Sequence, residues 1–240
     1  MHSVVRLSVA AEFNDPFDMK CRFIVEGTEQ ERLARYTLLI NEQMPNGSPD
    51  DKQIAIGNLM TATRQEMEER CQRSVSGIRQ TTGIYCFAGN AKSVLMWSHY
   101  ADKHRGVCLQ FDTSRDFPVL SRAVRVIPAR GENLPTVNYI VGFMDHIEGM
   151  LLSKHERWEY EQERRIVLYG QSGRYMEIRP DSLRSIIIGL HATEASIEWI
   201  RELLADRSAA GFPRVSVLQA HAHPTKYKLV FRRRDLVVPI

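Results

Sequence analysis

The pattern of apolar and polar positions divides the first third of the chain into one strand and two helices. Residues Val4–Val9 alternate and are rich in β-branched side chains, which predicts a strand. Apolar residues at helical spacing predict a helix over Glu29–Asn41. The turn-forming residues of Met44–Asp51 indicate a loop. A second, longer helix with a polar surface is predicted over Ile54–Ile78.

Most of the predicted strands lie in the rest of the chain. Strands are predicted over Ile84–Ala88, Gly106–Phe111, Ala123–Ile127, Tyr160–Tyr169, Tyr175–Ile178, Ser185–Leu190, Val215–Leu218 and Tyr227–Phe231, and helices over Ser93–Asp102, Val137–His155 and Thr193–Ala205. The turn Gly170–Gly173 is expected to pair the two strands beside it. This mixture predicts an α+β fold, with a mixed, largely antiparallel sheet and flanking helices, as a single domain over residues 1–240.

Composition, charge and cysteine spacing argue against several classes of protein. Hydrophobic residues make up 43% and charged residues 25% of the chain, as in ordinary globular proteins, and a net charge of +3 is weak for a nucleic-acid binder. The four cysteines form no C-x-x-C pair, which argues against a zinc site and a disulfide framework. The sequence has no membrane-length apolar run and no signal-peptide pattern at its start. We therefore expect a cytoplasmic protein.

The predicted helix over Ser93–Asp102 carries the first group of chemically informative residues. Trp97 and Tyr100 are three positions apart and share a helical face, so the simplest interpretation is that they anchor the helix on the sheet. His99 and His104 lack the spacing of a helical zinc motif, which argues against metal binding by this pair.

A second group lies at the start of the predicted strand Tyr160–Tyr169. If this segment is extended from residue 158, then Glu161, Glu163 and Arg165 line one face together with Glu159. Acidic residues in such a row repel each other, so this is either a solvated edge strand or a cleft that uses the carboxylates. In a cleft, a carboxylate can act as a general base or accept a hydrogen bond from a sugar hydroxyl. Arg165 could pair with a carboxylate or with a phosphate.

The third group is the turn of residues 14–18. Its sequence, N-D-P-F-D, provides the amide of Asn14 and the carboxylates of Asp15 and Asp18 on a rigid turn. The alternative is a helix-capping turn with no chemical role. If the three groups form a site, they should converge on one cleft.

Together these segments resemble the family named domain of unknown function 2971, found in bacteria and their phages. The matching motifs are N-D-P-F-D at 14–18, M-W-S-H-Y-A at 96–101 with H-x-G-V-C at 104–108, K-x-x-x-W-E-Y-E-Q-E-x-R at 154–165 and I-I-G at 187–189. They follow in the order of the family and span most of the chain. The family name implies no activity.

Two shorter motifs resemble the ADP-ribosyltransferase fold. They are G-I-Y-C-F-A at 83–88, followed by K-S at 92–93, and the pair Glu161 and Glu163 before a hydrophobic strand. The resemblance implies cleavage of NAD, as substrate, and transfer of ADP-ribose to a protein or nucleic acid. It implies that Glu163 is the catalytic carboxylate and that Glu161 positions the acceptor. The residues implied to contact the nucleotide or to shape its pocket are Tyr85, Trp97, His99, Tyr100, Asn14, Asp15 and Arg165.

One departure concerns the opening strand of that fold. The family usually has a further strand and helix before the N-D-P-F segment, and this chain begins almost at the later strand. A His or Arg of the opening strand that contacts the dinucleotide would therefore be missing, or be supplied by Arg6 or His2. Its loss would indicate a degenerate or inactive domain, or a start codon placed too late.

Two other functional classes are open. One is a non-catalytic module that binds a nucleotide or a protein in bacterial or phage defence or counter-defence. The other is a metal-dependent nuclease that uses Asp15, Asp18, Glu161 and Glu163, since carboxylates suit magnesium, although the spacing of these residues is not diagnostic. The transferase and the binding module would each have a nucleotide as partner. None of the three classes involves a membrane.

Overall fold

Short strands and helices make up the fold of residues 3–236, the part of the chain that the computed structural model describes. Its strands are β1 (Val4–Arg6), β2 (Arg22–Ile24), β3 (Gly83–Phe87), β4 (Val107–Phe111), β5 (Val124–Arg125), β6 (Ile127–Ala129), β7 (Thr136–Asn138), β8 (Ser153–His155), β9 (Arg164–Leu168), β10 (Tyr175–Glu177), β11 (Leu183–Ile188), β12 (Ser216–Ala222) and β13 (Leu229–Arg233). Its α-helices are α1 (Glu29–Gln43), α2 (Pro49–Thr61), α3 (Arg64–Thr81), α4 (Val94–Tyr100), α5 (Phe117–Leu120), α6 (Phe143–Leu151) and α7 (Glu194–Ala209). Short 3₁₀ helices lie at Ala10–Glu12, Glu156–Glu161 and Pro180–Ser182.

The strands form several small sheets. The largest has the order β13-β12-β11-β4, in which β11 is an inner strand, parallel to β12 and antiparallel to β4. A second sheet, of order β3-β9-β5, is antiparallel. The remaining pairs are β1–β10, which is antiparallel, and β2–β7 and β6–β8, which are parallel. The prediction of a mixed α+β fold is confirmed, but the expectation of one largely antiparallel sheet is wrong.

Helices α1 to α3 follow one another between β2 and β3. The predicted single helix over Ile54–Ile78 is wrong, because the chain breaks between Thr61 and Arg64. At the break, the Thr63 hydroxyl accepts a hydrogen bond from the Glu66 backbone, and the Glu66 carboxylate accepts one from the Thr63 backbone. This capping box starts a new helix, so local hydrogen bonds override the continuous apolar pattern. No α-helix within residues 3–236 is both long and apolar enough to span a membrane.

Apolar clusters set the positions of the helices, and two of them hold the helices near the candidate site. The largest packs α1, α2 and α3 against α6 and includes Tyr36, Cys71 and Ile147, all buried. A second cluster holds α4 on the four-stranded sheet through Trp97, which is 3% exposed and packs with Ile187. The Trp97 indole N–H also donates to the Ala91 carbonyl at 2.7 Å. Trp97 is therefore a core anchor, as the simplest interpretation predicted, but on the sheet that contains β11 and not on the one that contains β9.

The predicted helix over Val137–His155 is wrong at both ends. Its first residues form β7, its middle forms α6 and its last residues form β8. The Asn138 side chain accepts a hydrogen bond from the backbone of Ile140, which favours a turn over a helix. Gly142 then adopts a left-handed conformation (φ +62°) immediately before α6.

The predicted strand Tyr160–Tyr169 begins later than expected. Its acidic start belongs to the 3₁₀ helix Glu156–Glu161, and Gln162 turns the chain through a left-handed conformation (φ +47°) before β9. The predicted alternation through Glu159 is therefore wrong. The strand β9 pairs with β3, which begins at Gly83. The expected hairpin with residues 175–178 is wrong, since β10 pairs with β1.

Candidate functional site

A buried lysine lies among three carboxylates where segments distant in sequence meet. Lys154, on β8, donates from Nζ to Glu161 Oε2 at 2.6 Å and to Glu163 Oε2 at 3.2 Å. Its Nζ also lies 3.6 Å from Asp18 Oδ2, which comes from the turn of residues 14–18. The side chains of all four residues are at most 8% exposed. The contacts are therefore buried ion pairs with little solvent screening.

Arg165, on β9, extends this network and is completely buried. Its guanidinium binds Glu163 through two hydrogen bonds, from Nε to Oε1 at 2.7 Å and from Nη2 to Oε2 at 3.1 Å. Nη2 also donates to Asp18 Oδ2 at 2.6 Å, and Nη1 donates to the Leu151 carbonyl at 2.8 Å. Such complete pairing is what a buried guanidinium requires.

The charges of this network do not cancel, because Asp18, Glu161 and Glu163 face only Lys154 and Arg165. Burial opposes the ionisation of Glu163, but hydrogen bonds and charge from Arg165 and then Lys154 outweigh it and lower its pKa to about 2. Burial raises the pKa of Asp18 despite the nearby cations. Within residues 3–236, Asp18 Oδ1 is also buried without a hydrogen-bond partner. Of the three carboxylates, Asp18 therefore takes up a proton most easily, and this would relieve the surplus negative charge.

A tyrosine connects this network to the protein surface. The Tyr100 hydroxyl, at the end of α4, donates to Glu161 Oε1 at 2.6 Å and accepts a hydrogen bond from Asn14 Nδ2 at 3.1 Å. Burial raises the pKa of the Tyr100 hydroxyl, and the neighbouring Glu161 carboxylate raises it further. The residue as a whole is 50% exposed. Tyr100 thus ties helix α4 and the turn of residues 14–18 to the buried carboxylates.

Three aromatic rings lie against this assembly. The rings of His99, Trp158 and Tyr160 have centroids 6.0–6.4 Å apart, two from the 3₁₀ helix and one from α4. Lys154 Nζ lies 4.8 Å from the centroid of the Trp158 ring, within the range of a cation–π contact. The aromatic rings and the ionic network are therefore parts of one structure.

Two cavities open beside Trp158. The larger has a volume of about 380 Å³ and is lined by residues that include Asp15, Phe17, Lys20, Lys154, Arg157 and Trp158. The smaller shares Lys154 and Trp158 with it and is also lined by Arg125 and Glu163. Cavities of 300 to 1,000 Å³ are typical for small-molecule ligands. The larger one meets this criterion.

The three groups of residues meet, as predicted, but in a buried ionic network and not in one cleft, because Asn14, Tyr100 and Glu161 are not among the residues that line the two cavities. The predicted residues in hydrogen-bond contact within this network are Asn14, Tyr100, Glu161, Glu163 and Arg165. Asp15 lines the larger cavity, and His99 contacts the aromatic rings. The structure therefore brings together most of the residues that the sequence singled out.

Other predicted residues lie elsewhere. Trp97 is buried in the core, and Tyr85 pairs across β3–β9 with Ile166, on the opposite sheet face from Arg165. Neither is among the residues that line the two cavities. Arg6 forms an ion pair with Glu12 at 2.6 Å and has no contact with the network, and His2 lies outside the described residues.

The central residue of the site, Lys154, received no chemical role from the sequence. The sequence did contain one signal for Lys154. It lies between the apolar end of α6 and an acidic run, where a cation can pair with the carboxylates that follow. Lys20 and Arg157 of the larger cavity gave no comparable signal. Each is an exposed cation in a polar segment, and only the fold places them together.

The structure does not favour the predicted magnesium site. Asp18, Glu161 and Glu163 are paired with Lys154 and Arg165, which occupy the positions that a cation would need. Within the described part of the chain, no group of three or more His, Cys, Asp or Glu side chains is placed to hold a metal ion.

Comparison with known families agrees with one of the two resemblances. Residues 96–140 match the family described as Protein of unknown function (DUF2971). The match begins within α4 and includes its Met-Trp-x-His-Tyr motif, and it confirms the resemblance to this family over that segment. No curated protein and no solved structure matches the chain. The likeness to the ADP-ribosyltransferase fold therefore stays a prediction from sequence motifs.

Proposed function

We propose that this protein binds a nucleotide in the larger cavity beside Trp158. The observation that carries the proposal is the composition of that cavity, which has the volume of a small-molecule site and combines aromatic, cationic and acidic side chains. A nucleotide has a flat base, ribose hydroxyls and phosphates, and each of these groups has a matching partner there.

The base is assigned to the aromatic walls. Trp158 is half-buried and Phe17 is 63% exposed, so a ligand ring can reach both side chains. Stacking of a base on an aromatic side chain contributes about 1–3 kcal/mol. Such a contribution accounts for the exposed Phe17 ring at the cavity.

The phosphates are assigned to Lys20 and Arg157. Within residues 3–236 neither side chain forms an ion pair, unlike Lys154 on the same cavity wall. Lys20 Nζ lies 5.3 Å from the centroid of the Phe17 ring, so this cation is adjacent to the aromatic wall. Both cations can bind phosphate oxygens without breaking an ion pair. Asp15 lines the same cavity and can accept a hydrogen bond from a ribose hydroxyl.

The ionic network holds one of the side chains that line this cavity. Lys154 reaches the cavity and the Trp158 ring while Glu161 and Glu163 hold its ammonium group. Packing of this kind fixes a ligand-contacting side chain in one position, which lowers the entropy lost on binding. Glu163 is itself held by Arg165, so it is better placed to support the site than to react.

Thermal unfolding with adenosine, ADP and NAD tests the proposal. A bound ligand stabilises the native state, so the melting temperature should rise with ligand concentration. Trp158→Ala should reduce the rise for all three ligands, while Trp199→Ala, a change at an exposed tryptophan of α7, should not. Lys20→Ala should reduce the rise for ADP more than for adenosine, and Lys226→Ala provides the matched control. The absence of any shift with all three ligands would contradict the proposal.

A second candidate is ADP-ribosyl transfer from NAD. It is favoured by Glu163, which is ionised, lines the smaller cavity beside Trp158 and directly precedes a strand paired with β3. The position directly before a hydrophobic strand is the one that the sequence resemblance implies for a catalytic carboxylate. Release of nicotinamide from NAD by the wild-type protein tests this candidate. A melting-temperature rise with NAD but no nicotinamide release above background would leave a binding protein without turnover.

A further inference from the structure

Two arginines face each other directly across the edge of the three-stranded sheet. Arg125 on the edge strand β5 is the antiparallel partner of Arg164 on β9. Side chains at such positions have Cβ atoms about 4.5–5.5 Å apart, and like charges there are destabilising. The sheet therefore carries an electrostatic cost at this pair.

Nothing in the described chain neutralises this pair. Within residues 3–236 neither guanidinium forms an ion pair, and both side chains are exposed. Arg164 has only a long hydrogen bond of 3.5 Å from Nη1 to the Ala123 carbonyl. Neighbouring Arg165 is fully paired with carboxylates, but it points to the opposite face of the sheet. The buried network cannot compensate Arg125 and Arg164.

We propose that Arg125 and Arg164 bind a phosphate group between them. Each guanidinium presents a planar fork of N–H donors, and two forks on facing strands can hold one anion from both sides. A carboxylate offers two oxygens and one negative charge. A phosphate monoester offers three oxygens and a charge of about −1.5 to −2, which matches two arginines better. The proposal does not depend on nucleotide binding in the larger cavity.

Titration with inorganic pyrophosphate at constant ionic strength tests this site. Binding and the rise in melting temperature should be clear for the wild-type protein. Arg125→Glu should weaken pyrophosphate binding by at least about tenfold, because it places a carboxylate in the site. The same variant should melt higher than the wild type when pyrophosphate is absent, since opposite charges then face each other across the strands.

Arg232→Glu is the matched control, because it makes the same charge change at an exposed arginine of β13. It should retain the pyrophosphate response, as should Phe17→Ala, which alters the larger cavity but not the smaller one that Arg125 lines. A response that is equal in Arg125→Glu and Arg232→Glu, or absent from the wild type, would overturn the proposal. If the wild-type protein responds to pyrophosphate but to none of the nucleotide ligands, the proposed function is wrong and the phosphate site is still supported.

Discussion

Replacing Glu163 by glutamine should remove a large electrostatic contribution to the ionic network. The pKa of Glu163 is lowered from an ordinary value of 4.5 to about 2. At about 1.4 kcal/mol for each pKa unit, its charge contributes roughly 3 kcal/mol to stability near neutral pH. The side chain is 8% exposed, so solvent screening removes little of this. The amide also leaves Arg165 less well paired, and breaking a buried pair costs about 3–5 kcal/mol. We expect a loss within this range at pH 7.

The pH dependence of unfolding separates this charge effect from a simple packing defect. A carboxylate with a lowered pKa in the folded state stabilises the fold above its unfolded pKa, and this contribution is lost as pH falls toward about 2. Urea unfolding between pH 7 and pH 3 should therefore show the wild type and Glu163→Gln converging as pH falls. Glu159→Gln, at an exposed carboxylate of the preceding 3₁₀ helix, should match the wild type. A constant difference across this range, or one below about 1 kcal/mol at pH 7, would refute the electrostatic argument.

Three further substitutions test other parts of the site and core. Asp18→Asn should cost less stability in urea unfolding than Glu163→Gln, because burial already raises the pKa of Asp18; an equal cost would contradict this ranking. Tyr100→Phe removes the donor to Glu161 at 2.6 Å and should lower the free energy of unfolding by about 1.5–3 kcal/mol at pH 7, and no change would show that this contact is dispensable. Trp97→Ala should cost about 3–5 kcal/mol in the same assay, since the side chain is 3% exposed, and should leave nucleotide binding to the folded protein unchanged.

Much of the site was predictable from the sequence because its motifs contain charged residues. A charged side chain that is buried without a partner destabilises the fold, so such residues are expected to lie together. The carboxylates Glu161 and Glu163 and the cation Arg165 are such residues, and they do converge. The reason for their convergence was not predictable. Lys154 holds Glu161 and Glu163 together, and its position depends on where α6 ends and β8 begins.

Local hydrogen bonds account for most of the differences in the fold. The apolar spacing of residues 54–78 fits one helix, but the Thr63 capping box divides it. The alternation before β9 fits a strand, but Gln162 adopts a left-handed conformation and the preceding turn is a 3₁₀ helix. Strand partners such as β1 for β10 depend on long-range packing, which periodicity in a single sequence does not encode.

Fluorescence of Trp158 provides the most direct test of nucleotide binding in the larger cavity. In a Trp199→Phe variant, emission comes from Trp158 at the cavity and from buried Trp97, so a change on ligand addition reports mainly on the cavity. Titration with ADP should give a saturable quenching, because a stacked base contacts the indole directly. The double variant with Trp158→Phe should lose this signal. An unchanged emission of the folded Trp199→Phe protein across the titration would contradict nucleotide binding at this cavity.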